Sequence, residues 1–156
     1  MIYERRHTRL IEEFGGLWQV MPAFSVVFLI VSLSSLGLPG LNGFVGEFLI
    51  LVGAFQVHRP TAMLATTGVV FAAVYMLWMY QRVFMGTIRR EENRLLTDLD
   101  WRETAILLPI VVLCLWMGVY SGTFLRKMDP SVQKVVDRIE EARKQITPTY
   151  RVHRGN

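Results

Sequence analysis

Residues 33–48 read LSSLGLPGLNGFVGEF, an apolar stretch that is interrupted at its centre and carries a single carboxylate. Pro39 removes a backbone hydrogen-bond donor and clashes with the preceding helical turn, and it pushes Leu38 toward extended geometry. Irregular backbone at membrane depth persists only where protein or water covers it. The pattern therefore predicts an apolar helix that is broken at Gly37-Gly40 and faces other helices or a wet cavity.

Glu47 follows this interruption and is the only acidic residue in any of the three long apolar stretches of the chain. A carboxylate at the centre of a bilayer costs about 3 kcal/mol on insertion scales. Such a group is normally paired, hydrated or neutral, and it usually lies on an ion or proton path. A broken apolar segment with a carboxyl beside the break indicates a transport element.

The glycines around the break recur at spacings of three, as Gly40, Gly43 and Gly46. At about 100° per residue they form a slowly drifting stripe with almost no side chains. Small residues let a neighbouring helix approach closely. Packing alone explains this stripe, and the glycines need not line a channel.

The composition indicates an integral membrane protein. Of the 156 residues, 52% are hydrophobic, and the apolar residues come in runs rather than at amphipathic spacing. About 20 helical residues span the hydrocarbon core, and three segments qualify, at 20–57, 61–86 and 104–123. We therefore predict an all-α membrane bundle with a first segment that is broken. An extramembrane loop at 1–19, a second loop at 87–103, and an amphipathic helix and tail at 124–156 complete the organisation.

Proline positions and apolar periodicity predict further helix boundaries. Pro22 suits the first turn of the first helix, and Pro109 is expected to kink the third segment or to lie in its first turn. Near the C-terminus, residues 132–146 are predicted to form a helix, with Asp129 as its cap and Pro130 at its first position. Its apolar face consists of Val132, Val135, Val136 and Ile139. This helix could lie on the membrane, dock on a partner subunit, or form a solvated tail.

The charges argue against nucleic acid as a partner. The net charge is +4, but the basic residues cluster at the ends of the apolar segments, where bilayer-flanking charge explains them. Their distribution does not set the orientation. Arg82 ends the second segment within an aromatic cluster, where it could snorkel to the interface or pair with a carboxylate. Cys114 is the only cysteine, so neither an internal disulfide nor a four-thiolate cluster is available, and we expect it to be a small packing residue.

Four separated motifs carry a resemblance to a known family. Residues 33–48 resemble the broken helix of the antiporter-like membrane subunits of proton-pumping NADH:quinone oxidoreductase, respiratory complex I, and the similarity is greatest to the C-terminal part of the M chain. The other three motifs follow in the same order as in that family and are YERRHTR at 3–9, YQRVF at 80–84 and MDPSV at 128–132. The resemblance covers nearly the whole chain.

The resemblance implies a role for Glu47 as the glutamate of a terminal proton half-channel. Sister subunits usually carry a lysine there. The family's carboxylate–lysine pair and central lysine, on earlier helices, have no match in this sequence. The chain would supply the last three membrane segments, as a fragment or as the product of a split gene, with another polypeptide providing the missing N-terminal helices. The loop at 1–19 would be cytoplasmic and the C-terminal tail would lie on the opposite face.

The resemblance also implies the partners and the chemistry. No cofactor is expected on this chain, because NADH, flavin, iron–sulfur clusters and quinone would belong to partner subunits. Its partners would be the other complex I membrane subunits and the lipid bilayer, and it would be a multi-pass protein of the bacterial inner membrane. No nucleic acid and no metal site are expected.

The main hypothesis is that Glu47 binds and releases a proton within a hydrated chain across the membrane. The supporting residues would be Gly37, Pro39, Gly40, Asn42, Gly43, Gly46 and Arg82. Ser32, Ser34, Ser35 and Asn42 could hold the water, or they could equally satisfy backbone groups that the break frees. The alternatives are a subunit of a multi-subunit sodium/proton antiporter, a non-conducting structural or assembly protein, and a membrane-bound hydrogenase subunit.

Overall fold

A computed structural model describes the backbone of residues 1–152 and the side chains of residues 1–144. Every regular element in this part of the chain is helical, which confirms the all-α prediction. The α-helices are α1 Ile2–Arg6, α2 Pro22–Ser35, α3 Asn42–Val57, α4 Arg59–Phe84, α5 Trp101–Val119 and α6 Gly122–Val152. Short 3-10 helices occur at Ile11–Glu13, Leu17–Gln19 and Glu91–Leu95. The chain divides into two compact units, the second of which begins at Tyr120.

The predicted break is present between α2 and α3. Gly37 and Gly40 take positive φ angles of 68° and 93°, which L-residues with a side chain rarely adopt. The freed backbone groups are satisfied by the backbone itself, since Leu36 N donates to Ser32 O at 3.0 Å and Leu38 N donates to Leu33 O at 3.1 Å. Side chains are therefore not needed to close the end of α2.

The helices α4 and α5 are each long and apolar enough to cross a membrane. Almost none of their apolar side chains is buried within this chain, so they are not core helices of a soluble domain. The helices α2 and α3, with 14 and 16 residues, are each shorter than a full crossing and together form the broken first segment. His58 alone separates α3 from α4, and these two helices pack together.

Two segment boundaries differ from the predicted ones. The helix α4 begins at Arg59 and ends at Phe84, two residues earlier at each end than 61–86, because Pro60 suits a first helical turn. The helix α5 begins at Trp101 rather than at 104. The negative charge of Glu103 in the first turn is stabilised by the positive N-terminal end of the helix dipole, which favours this earlier start. Pro109 lies inside α5, not in its first turn.

The buried hydrophobic cluster lies where the start of α2 meets the end of α4. Tyr80 and Phe84 stack at a ring-centroid distance of 4.7 Å, and Phe28 lies 4.9 Å from Phe84. The buried cluster around them consists of Phe14, Leu17, Met21, Tyr80, Val83, Phe84 and Leu96. This aromatic cluster joins the two helices to the loops at the same end of the molecule.

Ion pairs and a remote cap hold these loops together. Arg5 donates two hydrogen bonds to the Glu103 carboxylate, at 2.9 and 2.7 Å, and this bonding raises the pKa of the Arg5 guanidinium above its ordinary value. Asp98 accepts from the backbone N–H groups of Ala23 and Phe24, at 2.8 and 3.1 Å, and so caps α2 from a distant loop. The N-terminal segment, the start of α2 and the start of α5 are thereby tied to one another.

The C-terminal helix differs from the prediction. It was expected to begin at residue 132 after a cap at Asp129, but α6 runs from Gly122 without interruption through Asp129 and Pro130. Proline in a helix interior removes one hydrogen bond and costs about 3 kcal/mol. Good helix formers on both sides, including residues 124–128 and 132–144, favour a continuous helix over a new start. The amphipathic character of α6 agrees with the prediction, and its three predicted placements, on the membrane, on a partner subunit or as a solvated tail, stay predictions.

Candidate functional site at the helix break

Glu47 lies in the second turn of α3 and directs its carboxylate at the break. A Cβ atom at Gly37 would overlap Oε2 of Glu47, so the carboxylate occupies space that only glycine leaves free. Gly37 thus has two reasons to be glycine, its positive φ angle and this contact. The Glu47 side chain is half-buried rather than fully enclosed.

A cavity of about 430 Å³ adjoins the Glu47 carboxylate. Its lining comes from three helices and consists of Val31, Ser34, Ser35, Asn42, Gly43, Glu47, Ile110 and Cys114. A water molecule takes about 30 Å³ and needs at least two polar partners. Hydroxyl, amide and carboxylate groups on an otherwise apolar wall meet both requirements, so the cavity can hold several water molecules next to Glu47.

A hydrogen bond joins the two sides of the break within this cavity, because the Ser34 hydroxyl donates to Oδ1 of Asn42. Ser34 is buried, and Ser35 is exposed along the same wall. Ser32, also buried, contributes its carbonyl to the end of α2 and is not part of the cavity lining.

The glycines of the stripe differ in how closely other atoms approach their Cβ positions. A Cβ atom at Gly43 would overlap the Ser34 carbonyl oxygen, so the first turn of α3 rests on the end of α2. Gly46 faces open space, as does Gly40 at its own Cβ position. The carbonyl group of Gly40 instead lies against Gly118 of α5. A Cβ atom added at Gly118 would overlap this carbonyl oxygen. The backbone of α5 therefore passes directly across the break.

Arg82 lies apart from the Glu47 cavity, at the far end of α4. Its guanidinium is 3.9 Å from the Glu12 carboxylate and 5.1 Å from the centre of the Trp78 ring. About a third of its side chain is exposed. Arg82 thus has the interfacial, aromatic setting that the sequence suggested, together with a carboxylate from the loop.

The structure brings Glu47, Gly37, Asn42 and Gly43 together around the cavity, with Pro39 and Gly40 in the turn beside it. The third wall, made by Ile110 and Cys114 and held close by Gly118, was not predicted. A glycine inside an apolar membrane segment is a signal for close helix approach and could have indicated Gly118. Among the described residues, no group of histidine, cysteine and carboxylate side chains could hold a metal ion.

Comparison with known proteins identifies related membrane subunits. Residues 1–73 match the transmembrane family described as NADH:quinone oxidoreductase/Mrp antiporter. The chain is 43% identical over 136 residues to NADH-quinone oxidoreductase subunit M of Rhodobacter capsulatus, and 44% identical over 135 residues to NADH-ubiquinone oxidoreductase chain 4 of Marchantia polymorpha. These matches cover 87% and 86% of this chain, and 27% of each relative, so the chain spans about a quarter of their length.

A solved structure shows the same fold. A chain of respiratory complex I from Thermus thermophilus with bound NADH superimposes with a TM-score of 0.77 at 37% sequence identity, over 83% of this chain and 27% of that one. The broken apolar segment, the two spanning helices and the sequence matches all point to one assignment. The chain belongs to the family of antiporter-like membrane subunits that includes subunit M, or chain 4, of NADH:quinone oxidoreductase.

Proposed function

We propose that this chain contributes to proton translocation in an NADH:quinone oxidoreductase, with Glu47 as the group that binds and releases the proton. One observation carries the proposal: Glu47 is the only acidic residue between Glu13 and Glu91, and its carboxylate borders a polar cavity at a helix break. The relatives named as subunit M and the complex I chain of similar fold support the same function.

The proposed chemistry is a reversible proton transfer between Glu47 and water in the adjoining cavity. A low-dielectric setting favours the neutral acid, and a positive charge that approaches favours the carboxylate. Movement of a positive charge toward and away from the site would therefore release and reload the proton. Every tenfold change in proton affinity corresponds to about 1.4 kcal/mol.

The break would keep the proton path open next to the carboxyl group. Gly37 leaves space for the carboxylate, and the bond between Ser34 and Asn42 holds the two helix ends together. Gly118 lets α5 close the third side. In this proposal Pro39 and Gly40 maintain the turn, and Arg82 acts at the membrane interface rather than on the proton.

Electron transfer would take place elsewhere in the assembly. We propose that NADH, flavin, iron–sulfur clusters and quinone bind partner subunits, that other membrane subunits of the complex flank this chain and supply further helices, and that a bacterial inner membrane holds the complex. The bacterial relative from Rhodobacter capsulatus supports that location.

The test measures NADH-driven proton uptake by inverted membrane vesicles that contain the assembled complex with the substitution Glu47→Gln. The rate of NADH-driven proton uptake should fall at least about tenfold, an added barrier of about 1.4 kcal/mol, while the amounts of assembled complex stay constant. Glu47→Asp, which keeps the carboxyl group, should retain more activity. Glu140→Gln, on the exposed surface of α6, is the matched control and should leave proton uptake unchanged.

Two outcomes would contradict the proposal. Normal proton uptake in the Glu47→Gln complex would favour a structural or assembly role. Sodium-dependent proton movement without NADH, lost in the same variant, would favour the antiporter branch that the family description also includes.

A further inference from the structure

A second cavity lies at the end of α4, away from the helix break. It has a volume of about 450 Å³ and is lined by two arginines, Arg82 and Arg89, beside the polar side chains of Gln81 and Thr87. Trp78 forms an apolar wall of the same cavity. Two guanidinium groups with neighbouring amide and hydroxyl groups are suited to an anionic oxygen ligand, above all a phosphate.

The rim of this cavity is fixed by backbone contacts. Gly16 N donates to Met85 O at 3.2 Å, and the Gln19 side chain donates to Gly86 O at 3.0 Å. A Cβ atom at Gly15 would lie 2.9 Å from Cγ of Arg89, so the arginine stem rests on bare glycine backbone. The loop that carries Arg89 is therefore held against the N-terminal segment.

The positive charge of the cavity is incompletely balanced. The Nε atom of Arg82 is buried and has no hydrogen-bond partner among the residues that the structure describes. The carboxylate that pairs with Arg82 is that of Glu12, at 3.9 Å, and 83% of the Glu12 side chain is exposed to solvent. An ion pair this long and this exposed contributes little, so the positive charge of Arg82 remains available to an anionic ligand.

An exposed apolar stripe runs from the cavity along α4 into the membrane segment. Phe71, Val74 and Trp78 lie on one face at spacings of three and four, and 69%, 61% and 53% of their surfaces are exposed. The stripe starts at the basic cavity and continues toward the middle of the spanning helix. An apolar track therefore adjoins the cavity that Arg82 and Arg89 line.

We infer that the cavity binds the phosphate of an anionic phospholipid, with the acyl chains along the stripe of Phe71, Val74 and Trp78. A basic pocket at the level of the headgroups, with an aromatic residue at the interface, is the setting in which proteins recognise such lipids. A free phosphate ion would satisfy the arginines but would leave the apolar stripe unused. This site is independent of proton transfer at Glu47.

The experiment measures which lipids stay with the full chain, purified from its membrane in mild detergent, and how added lipid changes its thermal unfolding. Phosphatidylglycerol should be retained over phosphatidylcholine and should raise the unfolding temperature. Gln81→Glu adds one negative charge with almost no change in shape, and it should reduce phosphatidylglycerol retention about fivefold. Arg89→Gln should reduce it to a similar extent.

Two controls separate binding from damage to the fold. Gln81→Lys adds a positive charge at the same exposed position and should increase retention, which a misfolded variant would not do. Arg102→Gln removes an exposed arginine outside the cavity and should have no effect. Equal retention of phosphatidylcholine and phosphatidylglycerol would overturn the inference, and so would stabilisation by inorganic phosphate that equals that of the lipid.

Discussion

The two ends of α2 are built in different ways. At the start of α2, aromatic rings stack, Asp98 caps the helix, and ion pairs tie the loops together. At the break, the contacts are between backbone and small residues, with Gly43 on Ser34 and Gly118 on Gly40. The first end gains its stability from side-chain burial and charge. The second has little side-chain packing to lose and surrounds a cavity with polar groups instead.

This difference shows how one segment can serve both as an anchor and as a site. A densely packed end fixes the position of α2 relative to α4, because interiors at native density resist small displacements. The break can then carry irregular backbone and open space around Glu47 without loss of the overall arrangement. Changes at the two ends should have separate effects, and three substitutions test this.

The largest effect is expected from Phe84→Ala at the packed end. Phe84 is almost fully buried, at 1% exposure, and contacts the rings of Phe28 and Tyr80. Its truncation should lower the free energy of unfolding by about 3 kcal/mol. Thermal unfolding of the full chain in mild detergent measures this. Leu64→Ala is the control, because Leu64 is 72% exposed on α4 and lies outside the lipid-binding stripe, and an equal loss there would show that the aromatic cluster is not the anchor.

A smaller effect is expected from Gly118→Ala at the break. The new methyl group would overlap the Gly40 carbonyl, so α5 must move away, at a cost of about 2 kcal/mol. Gly68→Ala in α4 meets open space and should stabilise its helix by up to about 1 kcal/mol. The two unfolding temperatures should therefore shift in opposite directions. A common shift would mean that the contact between α5 and the break is not close.

The smallest effect is expected from Asp98→Ala, which removes the cap of α2. The loss of two hydrogen bonds to the N–H groups of Ala23 and Phe24 should cost about 1 kcal/mol. The unfolding temperature of Asp98→Ala, compared with that of Glu91→Ala, measures the cap, because Glu91 is an exposed carboxylate in the same loop whose ion pair with Arg94 lies on the surface. Equal losses in both variants would assign the effect to loop charge rather than to capping.

The sequence was informative wherever the signal is local. Pro39 with its flanking glycines predicts the break, and long apolar runs predict the spanning helices. Glu47 is singled out as the candidate site because it is the only acidic residue in these apolar segments. The local signal is misleading at Pro130, because the proline predicts a helix start there although α6 continues through it. There the local preference of one residue was outweighed by the helix-forming residues on either side.

Contacts between distant residues were beyond the reach of local patterns. Asp98 accepts a hydrogen bond from Ala23, 75 residues earlier in the chain, and Arg5 pairs with Glu103 across 98 residues. Neither spacing has a periodic signature. The approach of Gly118 to Gly40 likewise depends on how α5 returns past the break, which one apolar segment does not specify by itself. The sequence predicts that the break faces other helices or a wet cavity, but it does not predict the wall that α5 contributes.

Cys114 provides a single attachment point for a spectroscopic label at the cavity. Cys114 lines the cavity together with Glu47, and the chain contains no other cysteine. A spin label or an environment-sensitive fluorophore attached to this thiol would report on water at the carboxylate from inside the site. No native cysteine has to be removed first, so the unaltered sequence already contains a specific attachment point for spectroscopy.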